Sequence, residues 1–119
     1  MSHALAVFLG GGLGALARYG VGRWTLAWFG AGFPWGTLAV NVAGGLVIGI
    51  AAGALESVSQ PARLFFITGL LGGFTTFSAF SLETLALWQR GEAGAAFGYV
   101  AASLILSLGA CAAGLLLAR

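Results

Sequence analysis

The stretch "LFFITGLLGGFTTFSAFSLETLALW", Leu64 to Trp88, decides the fold. A bilayer's hydrocarbon core of roughly 30 Å asks for about 20 helical residues, and this run is long enough while carrying a single acid, Glu83. Its centre nevertheless holds Gly72-Gly73 and Thr75-Thr76. Glycine weakens a helix, and threonine is a good N-cap for restarting one. The expectation is a membrane helix broken near its middle, from Gly72 through Thr76. Non-helical backbone at membrane depth survives only when protein buries it or when it lines a polar cavity. Freed carbonyl oxygens there suit a hard cation, as in broken-helix transporters; a kink satisfied by the threonine hydroxyls is the competing account.

Three further apolar runs flank this one. The first goes from Ala4 towards Trp28, with Arg18 and Arg23 in its second half; the others are Thr37 to Leu55 and Phe97 to Leu117. The connections "AGFPW", "ESVSQPAR" and "QRGEAG" are short. Pro34 and Pro61 fall where helix starts are expected, and Trp24, Trp28, Trp35 and Trp88 flank spans as interfacial aromatics do. Of the 119 residues 60% are hydrophobic and only 7% charged, whereas a soluble domain carries about a quarter. Too few charges remain to cover a globule, so lipid is the natural solvent. The chain reads as an all-α membrane protein, one domain over residues 1–119 with four transmembrane helices, the third broken. "MSHALAVFLGGG" has no Lys or Arg ahead of its apolar run, so no secretory signal is expected.

Charge placement leaves orientation open. With four spans, Arg63 and Arg119 share one side; Arg90 lies on the other, joined by Arg18 and Arg23 if these reach that interface. Two against three gives the positive-inside rule little to act on. Such a chain can insert either way up, and two opposed copies can pair. Small residues recur at four-residue spacing: Gly10 and Gly14, Gly45 with Gly49 and Gly53, Gly94 and Gly98. They let helix backbones approach closely, which drives packing where lipid offers no hydrophobic force. Four short helices enclose a pore poorly alone, so an oligomer is expected.

Several function classes drop out. There is no His, Cys and carboxylate cluster; His3 is the sole histidine, and Cys111 lies alone inside the fourth span as a small packing residue. The Gly10-Gly11-Gly12 run follows no strand and precedes no Lys-Ser/Thr pair, so it is no phosphate loop. No nucleophile–base pair appears, and nothing points to nucleic acid. The chain is not expected to be an enzyme.

Polar groups inside a membrane each ask for a partner or a purpose. Asn41, in "GTLAVNVAGG", offers two donors and one acceptor, for interhelical glue or for a ligand. Arg18 can snorkel, hold backbone carbonyls or steady the bundle. Past the break, Phe77, Phe80 and Glu83 or Thr84 fall on one stripe, with Ser78 and Ser81 beside it. Spacing alone favours core or lipid contact for those rings. The alternative uses their positive edges, which with Asn and Ser donors would suit a small hard anion. Glu83 could gate, bond a hydroxyl or sit near the headgroups. Tyr99, Ser103 and Ser107 repeat every four residues on the fourth span. They are glue between helices, or a track of rotatable O–H donors replacing an anion's water.

Taken together, "GGGLGALARY", "GTLAVNVAGG" and "GLLGGFTTFSAFSLE" resemble the small bacterial fluoride channels of the Fluc, or CrcB, family over essentially the whole chain. The third motif is the specific one. The resemblance implies an antiparallel, dual-topology homodimer in the bacterial inner membrane, with two pores passing fluoride passively out of the cytoplasm. It implies a structural sodium ion at the dimer centre, held by backbone carbonyls at Gly72 and Thr75. It further implies pore phenylalanines at Phe77 and Phe80, a pore-lining Asn41, a hydroxyl track of Ser78, Tyr99, Ser103 and Ser107, and a pore-adjacent Glu83. One departure is visible: the family commonly reads "TTFSTF", and Ala79 here removes one hydroxyl beside the rings. The rival class, small four-span proton-coupled multidrug exporters, relies on an acid embedded in the first span; Ala4 to Ala17 contains none.

Overall fold

A computed structural model describes residues 2–119, and helices with short connections account for all of them. Helix α1 spans His3–Phe29 and α2 Trp35–Ala54. The third span opens with α3, Gln60–Arg63, continues through a π-helical stretch, Leu64–Leu71, and ends its first half in α4, Gly72–Phe74. After the break come α5, Ser78–Gln89, and then α6, Ala93–Leu117. Four helical runs are long and apolar enough to cross a membrane: His3–Phe29, Trp35–Ala54, Gln60–Gln89 and Ala93–Leu117. Each coincides with one of the apolar runs read from sequence, α2 stopping one residue short of Leu55. All four begin earlier than the apolar run, and in two of them, α1 and α3, a serine caps the start. The Ser2 hydroxyl accepts from the Leu5 N–H at 3.1 Å, and Ser59 accepts from Ala62 at 3.4 Å with Pro61 in the first turn.

Two helix pairs carry the packing: α2 lies along α6, and α1 along the first half of the third span. Glycine sets the distance in both seams. A Cβ built on Gly45 would stand 2.8 Å from the Ser107 carbonyl oxygen, and those on Gly49 and Gly114 would collide with the carbonyls of Cys111 and Leu46. In the other seam Gly10 and Gly14 face Phe65, Gly69 and Leu70, while Gly69 and Gly73 face Gly10 and Gly11. The Gly45–Gly49–Gly53 ladder thus packs as expected. Gly94 and Gly98 meet nothing within 4 Å in this chain, so no intrachain seam uses them.

The break lies later than the glycines suggested. Gly72 and Gly73 remain helical, and the backbone leaves the helix at Thr75, whose φ and ψ are −90° and 161°. Their missing side chains serve the α1 seam at Gly73 rather than the unwinding. The turns just before them are π-helical, a feature no residue type there signals: the Gly72 N–H reaches the Ile67 carbonyl, five residues back. Such wide turns mark functional regions more often than chance.

At one end of the molecule the first and third loops meet. The Arg90 Nη2 donates to the Gly32 carbonyl at 2.8 Å, consistent with both loops lying on one side of a membrane. Trp24, Trp28, Trp35 and Trp88 are all exposed. They form tilted or edge-on pairs with one another and with Phe29, Phe33 and Phe97 around that end, as an interfacial aromatic belt does.

Candidate functional site

Asn41 holds the unwound residues from across the bundle. Its Nδ2 donates to the Thr76 carbonyl at 2.9 Å, and its Oδ1 accepts from the Thr76 N–H at 2.8 Å. A primary amide presents a donor and an acceptor side by side, as a peptide group does, so Asn41 replaces the helical partners that Thr76 gives up. The second Nδ2 hydrogen stays uncommitted. Thr76 itself restarts the helix: its Oγ1 accepts from the Ala79 N–H at 3.2 Å and lies 3.3 Å from Ser78 Oγ. Thr75 turns backwards, its Oγ1 donating to the Leu71 carbonyl at 3.0 Å.

The remaining carbonyls of the break divide into two sets. Arg18 Nε donates to the Gly73 carbonyl at 3.1 Å, so of its possible roles Arg18 takes that of holding backbone. The Leu71, Thr76 and Phe77 carbonyls also accept side-chain donors. Among the described residues, no donor meets the carbonyl oxygens of Gly72, Phe74 or Thr75. The described residues contain no cluster of three or more His, Cys, Asp or Glu. What the break offers a cation is therefore neutral backbone oxygen, the ligand type that unwound membrane helices present to Na⁺.

Beside the break lies a groove of about 480 Å³ whose walls come from α2, the break and α6. Asn41, Gly72, Thr75, Phe77, Phe80, Ser103 and Ser107 all line it. The two rings stand 5.5 Å apart and 48° tilted. Phe80 is 8% exposed, while Phe77, on the non-helical side, is 74% exposed. The Ser103 and Ser107 hydroxyls are buried and make no hydrogen bond, although a helical serine readily bonds back to the preceding turn. Gly44 and Gly45 also line the groove: a Cβ on Gly44 would run into the Thr75 methyl at the break, and for Gly45 the seam spacing hides this second role.

Other candidate residues lie elsewhere. Tyr99 is fully buried behind Phe80, its ring 5.2 Å from Phe80 and edge-on to Phe33 at 5.4 Å. Its hydroxyl donates to Glu83 Oε1 at 3.1 Å. The four-residue hydroxyl stripe is thus divided, Ser103 and Ser107 to the groove and Tyr99 to Glu83. Glu83 opens onto a second cavity of about 280 Å³ under the first and third loops. A third, of about 350 Å³, joins Glu83 to Arg18, Arg23 and Ala79. Ser78 is exposed and does not line the groove.

A family model described as "CrcB-like protein, Camphor Resistance (CrcB)" matches residues 5–115. A protein named "Fluoride-specific ion channel FluC" from Rhizobium leguminosarum bv. trifolii is 53% identical over 122 residues, covering 100% of this chain and 98% of its own. Proteins of that name from Rhodospirillum centenum and Paracoccus denitrificans are each 52% identical, covering 100% of this chain and 97% of their own.

Proposed function

This chain belongs to the CrcB-like family, and from that premise we propose that it is a multi-pass membrane channel, not an enzyme, that lets fluoride leave the cytoplasm passively. The observation that carries the reading is the pair of buried, unpartnered hydroxyls, Ser103 and Ser107, in one groove with Asn41, Phe77 and Phe80. Fluoride is compact and tightly hydrated, so a pore must supply close donors in place of water. Serine O–H groups, the spare Asn41 N–H and the positive edges of the rings do so without a fixed cation that would trap the ion. Conduction then needs binding weak enough for exit, which neutral donors provide.

Around this path the other residues take supporting parts. Tyr99 and Glu83 continue the polar route beyond Phe80, and Ser78 extends it at the exposed side of the break through Thr76. The Gly72 and Thr75 carbonyls would hold a structural sodium ion, a reading supported by their accepting no hydrogen bond among the described residues. Two carbonyls do not complete a cation's shell. A second, inverted copy sharing the ion doubles them, making the working unit an antiparallel homodimer with two pores. When bound there, a cation would add a positive field to the neighbouring paths in a low-dielectric setting. No acid lies in the first span to couple transport to protons.

Purified protein in liposomes loaded with potassium fluoride tests the proposal. Fluoride efflux on addition of a potassium ionophore, with chloride efflux far slower, is the expected result. No fluoride efflux, or equal chloride efflux, overturns it.

A further inference from the structure

A chain of contacts leads from the groove to one end of the molecule. Phe80 packs on Tyr99, the Tyr99 hydroxyl donates to Glu83, and Glu83 lines the cavity of about 280 Å³ under the first and third loops. Arg90 lines the same cavity. Its Nη2 ties the third loop to the Gly32 carbonyl of the first, and its Nε and Nη2 reach Glu92 Oε2 at 3.2 and 2.6 Å. The two side chains are 49% and 48% exposed, so neither charge is buried where the two loops meet. The neighbouring cavity adds Arg18 and Arg23, but Arg18 is engaged at the break and Arg23 with the Tyr19 hydroxyl. Glu92 does not cap α6 with its side chain; the contact it makes is with Arg90.

We infer that Arg90 is the cation that gathers anions at this mouth of the path, and that Glu92 holds its field down. The inference rests on the fluoride-channel reading above. An exposed ion pair contributes little to stability, so the pair's effect falls on the ion and not on the fold. A full charge about 7 Å from an ion in water changes its local concentration by a factor of about two to three. The effect fades with salt, because the Debye length falls from about 30 Å at 0.01 M to about 3 Å at 1 M.

Single-channel fluoride conductance in planar bilayers, at low ionic strength and again with about 1 M sodium chloride, reads this directly. At low salt Arg90→Gln should lower conductance about two- to threefold and Glu92→Gln should raise it by a similar factor, with Arg90→Lys close to the parent. At high salt the four proteins should converge. The opposite sign for Glu92→Gln is what a loop tie alone cannot give. Equal losses in both Gln variants at both salt levels, or no change in either, overturn the inference while leaving the channel intact. A parent protein that conducts no fluoride overturns the channel reading itself.

Discussion

Asn41 and Ser103 line one groove yet stand in opposite hydrogen-bonding states. Asn41 satisfies both backbone groups of Thr76; Ser103 is buried with its hydroxyl unspent. Removing them should therefore separate stability from conduction. Asn41→Ala strands a half-buried N–H and C=O, a loss of about 1–3 kcal/mol for each group left without a partner. It should lower the melting temperature in detergent and fluoride flux together. Ser103→Ala breaks no bond, so its melting temperature should match or exceed the parent's while its flux falls. A Ser103→Ala protein with unchanged flux would show that the free hydroxyl is not used by the ion. Phe80→Ile belongs beside these: it keeps an apolar side chain against Tyr99 but removes the ring edge. Slower fluoride permeation with the assembly intact is expected in size-exclusion and flux measurements, and unchanged flux would argue against ring-edge contact.

At the scale of elements, the glycines show what a local reading sees and what it misses. The spans were legible because an apolar run of sufficient length has one outcome in lipid, and the Gly45–Gly49–Gly53 ladder was legible from its helical spacing. The position of the break was not. Gly72-Gly73 is the weak point by residue type, but the chain leaves the helix at Thr75, and Thr76 stays out of it because an amide thirty-five positions away at Asn41 offers its peptide group a substitute partner. The division of the Tyr99–Ser103–Ser107 stripe was hidden for the same reason: Tyr99 goes to Glu83 on α5, a contact between elements that periodicity on α6 cannot encode. The π-helical turns over Leu64–Leu71 leave no mark in residue type. The seams yield a matched pair of substitutions. Gly49→Ala drives a methyl group into the Cys111 carbonyl, whereas one at Gly94 meets nothing within 4 Å. Overpacking costs about 1–3 kcal/mol, so thermal unfolding in detergent should fall clearly for Gly49→Ala and hardly move for Gly94→Ala.

The whole molecule presents one chain with polar business left unfinished on an open face. Gly72 is exposed, and its carbonyl and that of Thr75 meet no donor among the described residues. The inverted second copy proposed above would supply what these carbonyls lack, provided that the chain enters the membrane both ways up. The arginines bear on that condition. Arg18 is held at the break and does not count toward either end, which leaves Arg63 and Arg119 at one end against Arg23 and Arg90 at the other. Orientation follows the Lys and Arg excess of the loops, and here the excess vanishes. A C-terminal reporter that is active only in the cytoplasm, and a second active only outside it, should therefore both give signal when fused to this chain. Adding two lysines beside Arg63 should bias insertion to one orientation, silencing one reporter and, with it, fluoride flux; co-expression with a chain biased the other way, by two lysines beside Arg90, should restore the flux. Signal from a single face in the parent protein, or full flux from one singly oriented chain, would rule out assembly from opposed copies.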